Sequence, residues 1–402
     1  MFKGENLQYL RRLFGYSQEK LARLLHTPVE KIRLYEANEK KPDFAFVNKL
    51  CLLFDVRGLY FYRETFVHRY QSPARGKAPI DISYSSKRFS DLAQAQSEKV
   101  FIEYLNSLIN YLTLEVEVPL EPIITLRDQA VDMMKTSTMK REEAIKRIAS
   151  LAREVLELED ESNKFLLFCL EKSGIFVFEK MLGTNKDVYS LWVEGARPYI
   201  FLRKYGDSAV QRNFDLAHEL GHLLLHQQVE FSTLSKEEYA KIEDEANRFA
   251  VYFLLPEESF AEDMATVWNE ADPDAYIHLK RKWDVSLYWL GYRAWQSGLI
   301  SEEIYEKFYQ SLKEKGYWDW EPLDEINFLP QPQKMLAIFD FIFNEEIVDL
   351  PKMLREDLLF KVDFLAKITG VDDHFFDRYK AEGIPLTEES RVIPFSRTKR
   401  FS

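Results

Sequence analysis

The chain has 402 residues, 46% of them hydrophobic, and carries 54 Lys and Arg against 66 Asp and Glu for a formal net charge of −12. That length allows two or three domains with sizeable cores, and the hydrophobic content excludes a disordered or low-complexity chain. There is no N-terminal signal pattern and no apolar run near the ~18 residues a membrane helix needs, and the cysteines, Cys51 and Cys169, both sit in apolar runs as reduced core residues do. A cytoplasmic protein without membrane contact is expected.

The first 70 residues read as four or five short amphipathic helices, at 5–14, 17–22, 28–36 and 44–54. Ser17 is a good N-cap, and Thr27-Pro28 opens the next helix as proline at a first helical position does. Residues 1–77 carry 15 Lys and Arg against 8 Asp and Glu, +7, which leaves −19 for the remainder. A basic head on an acidic body suits an electrostatic footprint on DNA phosphates. The run SQEKLARLL, followed by PVEKIRLYEANEKKPDF, resembles the helix-turn-helix of the XRE/Cro repressor family. The resemblance implies a double-stranded DNA operator with the second helix of the motif in its major groove. It places Lys31, Arg33 and Tyr35 at or near base edges, puts Gln18 at the phosphate-facing start of the preceding helix, and admits a homodimer. Ala37-Asn38 stands where glycine often follows the Glu36 position, although Asn also tolerates the left-handed conformation. A helical protein-interaction module is the competing reading of this head.

A linker is expected over 71–87, where Ser72-Pro73-Ala74-Arg75-Gly76-Lys77 interrupts the periodicity. A helical scaffold follows over 88–157, with a long helical pattern at 88–113, a break at Pro119 and Pro122, and further helices to 157. Strands at 174–178, 188–192 and 198–202 predict a small antiparallel sheet. The fold class is α+β, mainly helical.

The next segment carries the chemistry. His218-Glu219-Leu220-Gly221-His222 lies inside a helix expected over 209–227, which puts two imidazoles one turn apart on one face with a carboxylate between them. That is the spacing of a Zn2+ site with its own general base. Two histidines do not close such a site. Glu243, on the edge of the apolar face of a following helix ended by Pro256, is the candidate third ligand. Glu245 points roughly 160° to 200° away from Glu243 on a helix of about 3.6 residues per turn and is the weaker candidate. His226, one more turn along the motif face, is too far along a straight helix to join the same ion, and reads as packing or as support for another ligand.

The string RNFDLAHELGHLLLH at 212–226, followed by EDEANRFAVYFLLP at 243–256, resembles the ImmA/IrrE family of bacterial and phage metallopeptidases. The likeness extends upstream through 167–179, 187–190 and 197–202, and downstream through 282–286 and 292–300, so a zincin-like peptidase domain is expected over 158–322. The resemblance implies His218, His222 and Glu243 as zinc ligands and Glu219 as the catalytic carboxylate of a zinc endopeptidase. It also implies limited proteolysis of a helix-turn-helix repressor in a stress or mobile-element response. Tyr292 and Arg293 are candidates to stabilise the transition state, because the tetrahedral oxyanion needs a second electrophile. In the competing reading the chain is a non-proteolytic transcriptional regulator whose peptidase-like domain senses a ligand or partner. Beyond residue 323 the likeness fades. Residues 323–402 read as packed helices of unknown role, with a weak helix-turn-helix shape at 364–377 and a basic tail at 391–402.

Overall fold

The computed structural model describes residues 1–70, 92–114, 116–118, 121–136, 139–158, 162–179, 188–193, 197–203, 208–229, 231–325, 329–379 and 396–397. The linker expected at 71–87 lies outside the described residues, as does most of the basic tail. The contacts divide the chain into two units, Met1–Val118 with Phe178–Asp187 and Gln333–Ser402, and Pro119–Val177 with Val188–Pro332. The described residues are mainly helical, and among them no helix is long and apolar enough to cross a membrane.

The first unit begins with α1 (Gly4–Leu13), α2 (Gln18–Leu24), α3 (Val29–Glu36), α4 (Phe44–Phe54) and α5 (Phe66–Arg69). Short polar residues start these helices by accepting from backbone N–H groups that have no partner inside the helix. Ser17 Oγ accepts from the Lys20 N–H at 3.0 Å, and Asp43 Oδ1 accepts from the Phe46 N–H at 2.7 Å. Pro28 is the cap of α3 and not its first turn, so the helix begins one residue later than the Thr27-Pro28 pair suggests. Asn38 takes the left-handed conformation, φ 60°, and its Oδ1 accepts from the Gly4 N–H at 2.7 Å, which ties the end of α3 to the start of α1. Leu7, Leu10, Leu21, Ile32 and Leu50 fill the core between these helices.

Much later sequence completes that core. Helix Leu92–Leu112 packs on α1 and α5. The Arg57 N–H donates to Leu359 O, and the Lys361 N–H to Asp55 O, both at 2.8 Å. The Phe364 ring lies 6.3 Å from Phe14 and 6.0 Å from Tyr104. The 88–157 scaffold is therefore shared between the two units at Val118/Pro119, and residues from 333 onward group with the N-terminal head. The helix-turn-helix shape at 364–377 is a helix, Val362–Thr369, followed by a 3-10 segment, Asp373–Tyr379. A two-residue strand, β1 (Val116–Glu117), pairs antiparallel with Ser396–Arg397.

The second unit opens with helices Glu121–Thr136, Arg141–Val155 and Leu166–Ser173, followed by β2 (Phe176–Glu179), within which the division at Val177/Phe178 falls, β3 (Tyr189–Val193) and β4 (Arg197–Leu202). The strand order is β2-β4-β3, with β3 and β4 antiparallel in the register Tyr189↔Phe201 to Val193↔Arg197. The sheet is mixed, which corrects the purely antiparallel expectation. β3 and β4 are consecutive in the chain, as an antiparallel pair joined by a short connection is, whereas β2 lies on the other edge of β4 and is not its neighbour in sequence. Two helices follow and carry the site: the motif helix, Ala209–Leu225, and the ligand helix, Lys236–Leu254. Leu216, Ala217, Leu220, Leu223 and Leu224 of the first meet Phe249, Ala250 and Phe253 of the second in one apolar cluster.

Asp284 ends helix Ile277–Trp283 in the left-handed conformation, φ 51°, and its carbonyl accepts from Asn213 Nδ2 of the motif helix at 3.2 Å. Burial pushes its carboxyl up to about 6, against a smaller opposing pull from Lys164. The folded chain thus holds this proton more tightly than the unfolded one. The contribution to stability is complete below the ordinary aspartate value and is lost as pH rises through about 6. Asn keeps the backbone conformation and removes the charge. In paired urea melts, Asp284→Asn is expected to match the wild type near pH 4 and to exceed it at pH 8; a variant less stable at pH 8 would contradict this.

Candidate metal centre

Ser208 caps the motif helix by accepting from the Gln211 N–H at 3.3 Å, and the four-residue spacing then stacks His218 and His222 on one face with ring centroids 4.7 Å apart. The ligand helix starts from a capping box in which Ser235 and Glu238 satisfy each other's backbone N–H groups. The two helices meet closely at Gly221, where a Cβ would lie 2.9 Å from Phe249 Cδ1. That closeness brings the Glu243 carboxylate to both imidazoles: Oε2 is 3.5 Å from His218 Nε2, and Oε1 is 3.5 Å from His222 Nε2. Gly221→Ala is therefore expected to destabilise the chain by about 1–3 kcal/mol through overpacking. A lower urea midpoint with unchanged slope would report it.

The three side chains suit a divalent transition metal. Their ligand atoms all lie within 4.8 Å of one another. A tetrahedral ion with bonds of about 2.0–2.1 Å spaces its ligands about 3.3 Å apart. The triangle here has a 3.0 Å edge between the two Nε2 atoms and two edges of 3.5 Å to Glu243. The side chains are 13%, 0% and 26% exposed for His218, His222 and Glu243. The cluster thus opens to solvent on the Glu243 side, as a site that keeps one position for water must.

Residues 170–294 match the family model of the IrrE N-terminal-like domain, Peptidase_M78. A comparison with curated proteins finds no match. The Peptidase_M78 segment is metallopeptidase-like, contains both site helices and all three candidate ligands, and is narrower than the 158–322 expected for the domain.

Within the segment, His218, Glu219 and His222 each have a polar partner outside the triangle. Asn247 Oδ1 lies 2.9 Å from His218 Nδ1, and the buried Glu219 accepts from Ser190 Oγ at 2.7 Å. Ser190 and Trp192 point from β3 to the motif helix, where Trp192 Nε1 donates to Leu223 O at 2.9 Å. Two strand residues advance about 6.7 Å and four helix residues about 6.0 Å, so the strand and the helix stay in step over this stretch. Sequence reasoning missed both Ser190 and Asn247. His226 stands behind His222, and Glu245 meets His226 at 3.1 Å instead of joining the ligands. Burial works to raise the Glu245 carboxyl, but hydrogen bonds from His226 and Arg141 outweigh it and hold it down at about 2.

Other expected site residues lie elsewhere. Arg293 is buried, donates from Nε to Leu255 O at 3.1 Å and stacks over the Tyr252 ring at 4.8 Å. It secures the end of the ligand helix, which corrects its reading as a transition-state stabiliser. Tyr292 belongs to an aromatic cluster, 5.4 Å from Trp289 and 5.7 Å from Trp295, and burial pushes its hydroxyl up. In the head, Tyr35 is 4% exposed and packs on Phe46 at 4.9 Å. It is a core residue and not a base-edge reader. Lys31 is exposed on α3, and Arg33 extends between Glu19 and Glu30 at 3.7 and 3.6 Å. Gln18 donates to Glu36 Oε2 at 2.8 Å, beside the bidentate pair of Arg11 and Glu36.

Proposed function

We propose that this chain is a zinc-dependent endopeptidase with a DNA-binding head. The observation that carries the reading is the triangle of His218, His222 and Glu243 beside a buried carboxylate, Glu219, that a serine hydroxyl already orients. His218, His222 and Glu243 would hold the zinc, which when bound would supply Lewis acidity to a water and to a peptide carbonyl. Glu219 takes the water's proton and returns it to the departing amine. The Ser190 hydroxyl fixes one carboxylate oxygen at 2.7 Å, which limits the rotation of Glu219. Ser190→Ala is expected to lower kcat about 10-fold at unchanged KM, the scale of losing an outer partner of a site; an unchanged kcat would remove Ser190 from the mechanism.

A peptide has room to bind nearby. Trp289 stacks on Phe214 at 4.1 Å, Phe214 lies 6.2 Å from the His218 ring, and Trp289 lines a cleft of about 420 Å³ with Tyr288, Tyr317, Trp318 and Trp320. Asp319, Glu321 and Asp324 line the cleft as well, and its aromatic wall suits an apolar or aromatic side chain. The basic head, with Lys31 and Arg33 exposed on α3, supports binding to an operator. The resemblance to the ImmA/IrrE family implies a helix-turn-helix repressor as substrate, and joining head and peptidase would raise the effective concentration of protease near such a DNA-bound target.

Incubation of zinc-loaded wild type and Glu219→Gln with candidate repressors tests the hydrolytic half. Cleavage by the wild type alone, with zinc retained in both, supports it. Zinc retention without processing by either protein favours the ligand-sensing regulator. Arg33→Ala is expected to weaken operator binding, and unchanged binding would assign residues 1–70 to protein contact.

A further inference from the structure

Behind His222 lies a second imidazole that the hydrolytic reading leaves without a task. Nδ1 of the buried His226 is 3.0 Å from Nδ1 of His222, and its Nε2 is 3.1 Å from Glu245 Oε2. Arg141 donates to both oxygens of Glu245, at 2.8 and 2.6 Å. The four side chains form a line from a guanidinium to the candidate ligand.

With both rings neutral, this line admits two arrangements of hydrogens. In one, His222 carries its hydrogen on Nδ1 and donates it to His226, whose own hydrogen sits on Nε2 and points at the carboxylate. Every contact along the line from Arg141 to His222 is then satisfied, and His222 Nε2 turns its lone pair toward His218 Nε2 at 3.0 Å and Glu243 Oε1 at 3.5 Å, a cluster of acceptors that a cation would relieve. In the reverse, the lone pair of His226 Nε2 faces carboxylate lone pairs at 3.1 Å, and the hydrogen on His222 Nε2 blocks a cation. A carboxylate only accepts, and the Glu245 contact at 3.1 Å is shorter than the 3.5 Å from His222 Nε2 to Glu243, so the Glu245 end of the line favours the first arrangement. A neutral histidine in water favours the opposite tautomer, with the hydrogen on Nε2. The line therefore works against the ring's own preference.

We propose that His226 and Glu245 are positioning residues that lock His222 in its Nδ1–H tautomer, so that Nε2 is open to a divalent transition metal before the metal arrives. This rests on His218, His222 and Glu243 being a metal site. His218 has a shorter version of the same device in Asn247, whose Oδ1 is 2.9 Å from Nδ1. The histidine on the motif helix that is too distant to ligate the ion is thus assigned to its neighbour's ring.

The test uses the full chain with 15N-labelled histidine, read first without metal and then by zinc competition against a chromophoric chelator. In the zinc-free wild type, His222 is expected to show the Nδ1–H pattern and His226 the Nε2–H pattern. His226→Leu and Glu245→Met are expected to move His222 toward the Nε2–H pattern and to weaken zinc binding about 10- to 100-fold. His226→Gln, whose amide oxygen can accept from His222 Nδ1–H, should recover most of that affinity, which a mere packing role would not. Should the buried His226→Leu fail to fold by circular dichroism, Glu245→Met on the rim carries the comparison. An Nε2–H pattern for His222 in the wild type, or wild-type zinc affinity in the apolar variants, overturns the inference and leaves the metal site standing. A wild type that binds no zinc overturns the site and the inference together.

Discussion

Glu219→Gln is expected to lower kcat for peptide hydrolysis by about 10³-fold, within the range general acid–base catalysis supplies. The substitution is nearly isosteric, and Ser190 Oγ, 2.7 Å from the carboxylate, still finds an oxygen to donate to. Glu219 is not one of the three clustered ligands, so zinc content should stay at the wild-type level. An amide cannot take a proton from water at neutral pH, and the loss should fall on kcat with little change in KM. Metal analysis of the same preparations separates this from loss of the ion. A variant within tenfold of the wild type would mean that another group is the base.

Asn163→Ala is expected to destabilise the chain by about 3–5 kcal/mol, the upper end of single-substitution effects. Asn163 is fully buried and links three elements. Its Nδ2 donates to Leu254 O at 2.9 Å and to Trp283 O at 2.7 Å, and its Oδ1 accepts from Arg153 Nη1 at 2.8 Å. Removing the amide leaves two carbonyls short of a donor and a buried guanidinium short of an acceptor, and each costs about 1–3 kcal/mol or more. Leu254 is the last residue of the helix that carries Glu243, so the damage extends to the site. Chemical denaturation should show the loss together with weaker zinc binding. A change under about 1 kcal/mol would show that the pocket rehydrates or relaxes at little cost.

What the sequence reveals of this chain follows the reach of its local periodicities. The motif helix is legible nearly to the residue, because Ser208 caps it and the apolar positions repeat at helical spacing through Leu225. Glu243 is legible from its place beside an apolar face, and Asn247, one turn further on that face, could have been found by the same rule. Ser190 could not. It meets Glu219 across 29 residues through the packing of a strand on a helix, and no local period encodes that pairing. Tyr35 and Arg293 show a different limit, because amphipathic side chains bury their bodies while looking polar in a sequence. Ile32, Tyr35 and Glu36 share one buried helical face, which is the signal that Tyr35 belongs to the core. The return of residues after 350 to the N-terminal head rests on backbone bonds such as Arg57 to Leu359. Contacts across some 300 positions leave no mark in either segment.

The most direct measurement is the zinc content of purified wild type and of Glu243→Ala after zinc loading and exhaustive dialysis. One zinc per wild-type chain, with near-complete loss in the variant at an unchanged circular dichroism spectrum, is the result that a site closed by His218, His222 and Glu243 requires. A metal-free wild type under zinc-replete conditions, or a Glu243→Ala chain that keeps its zinc with wild-type affinity, would contradict it.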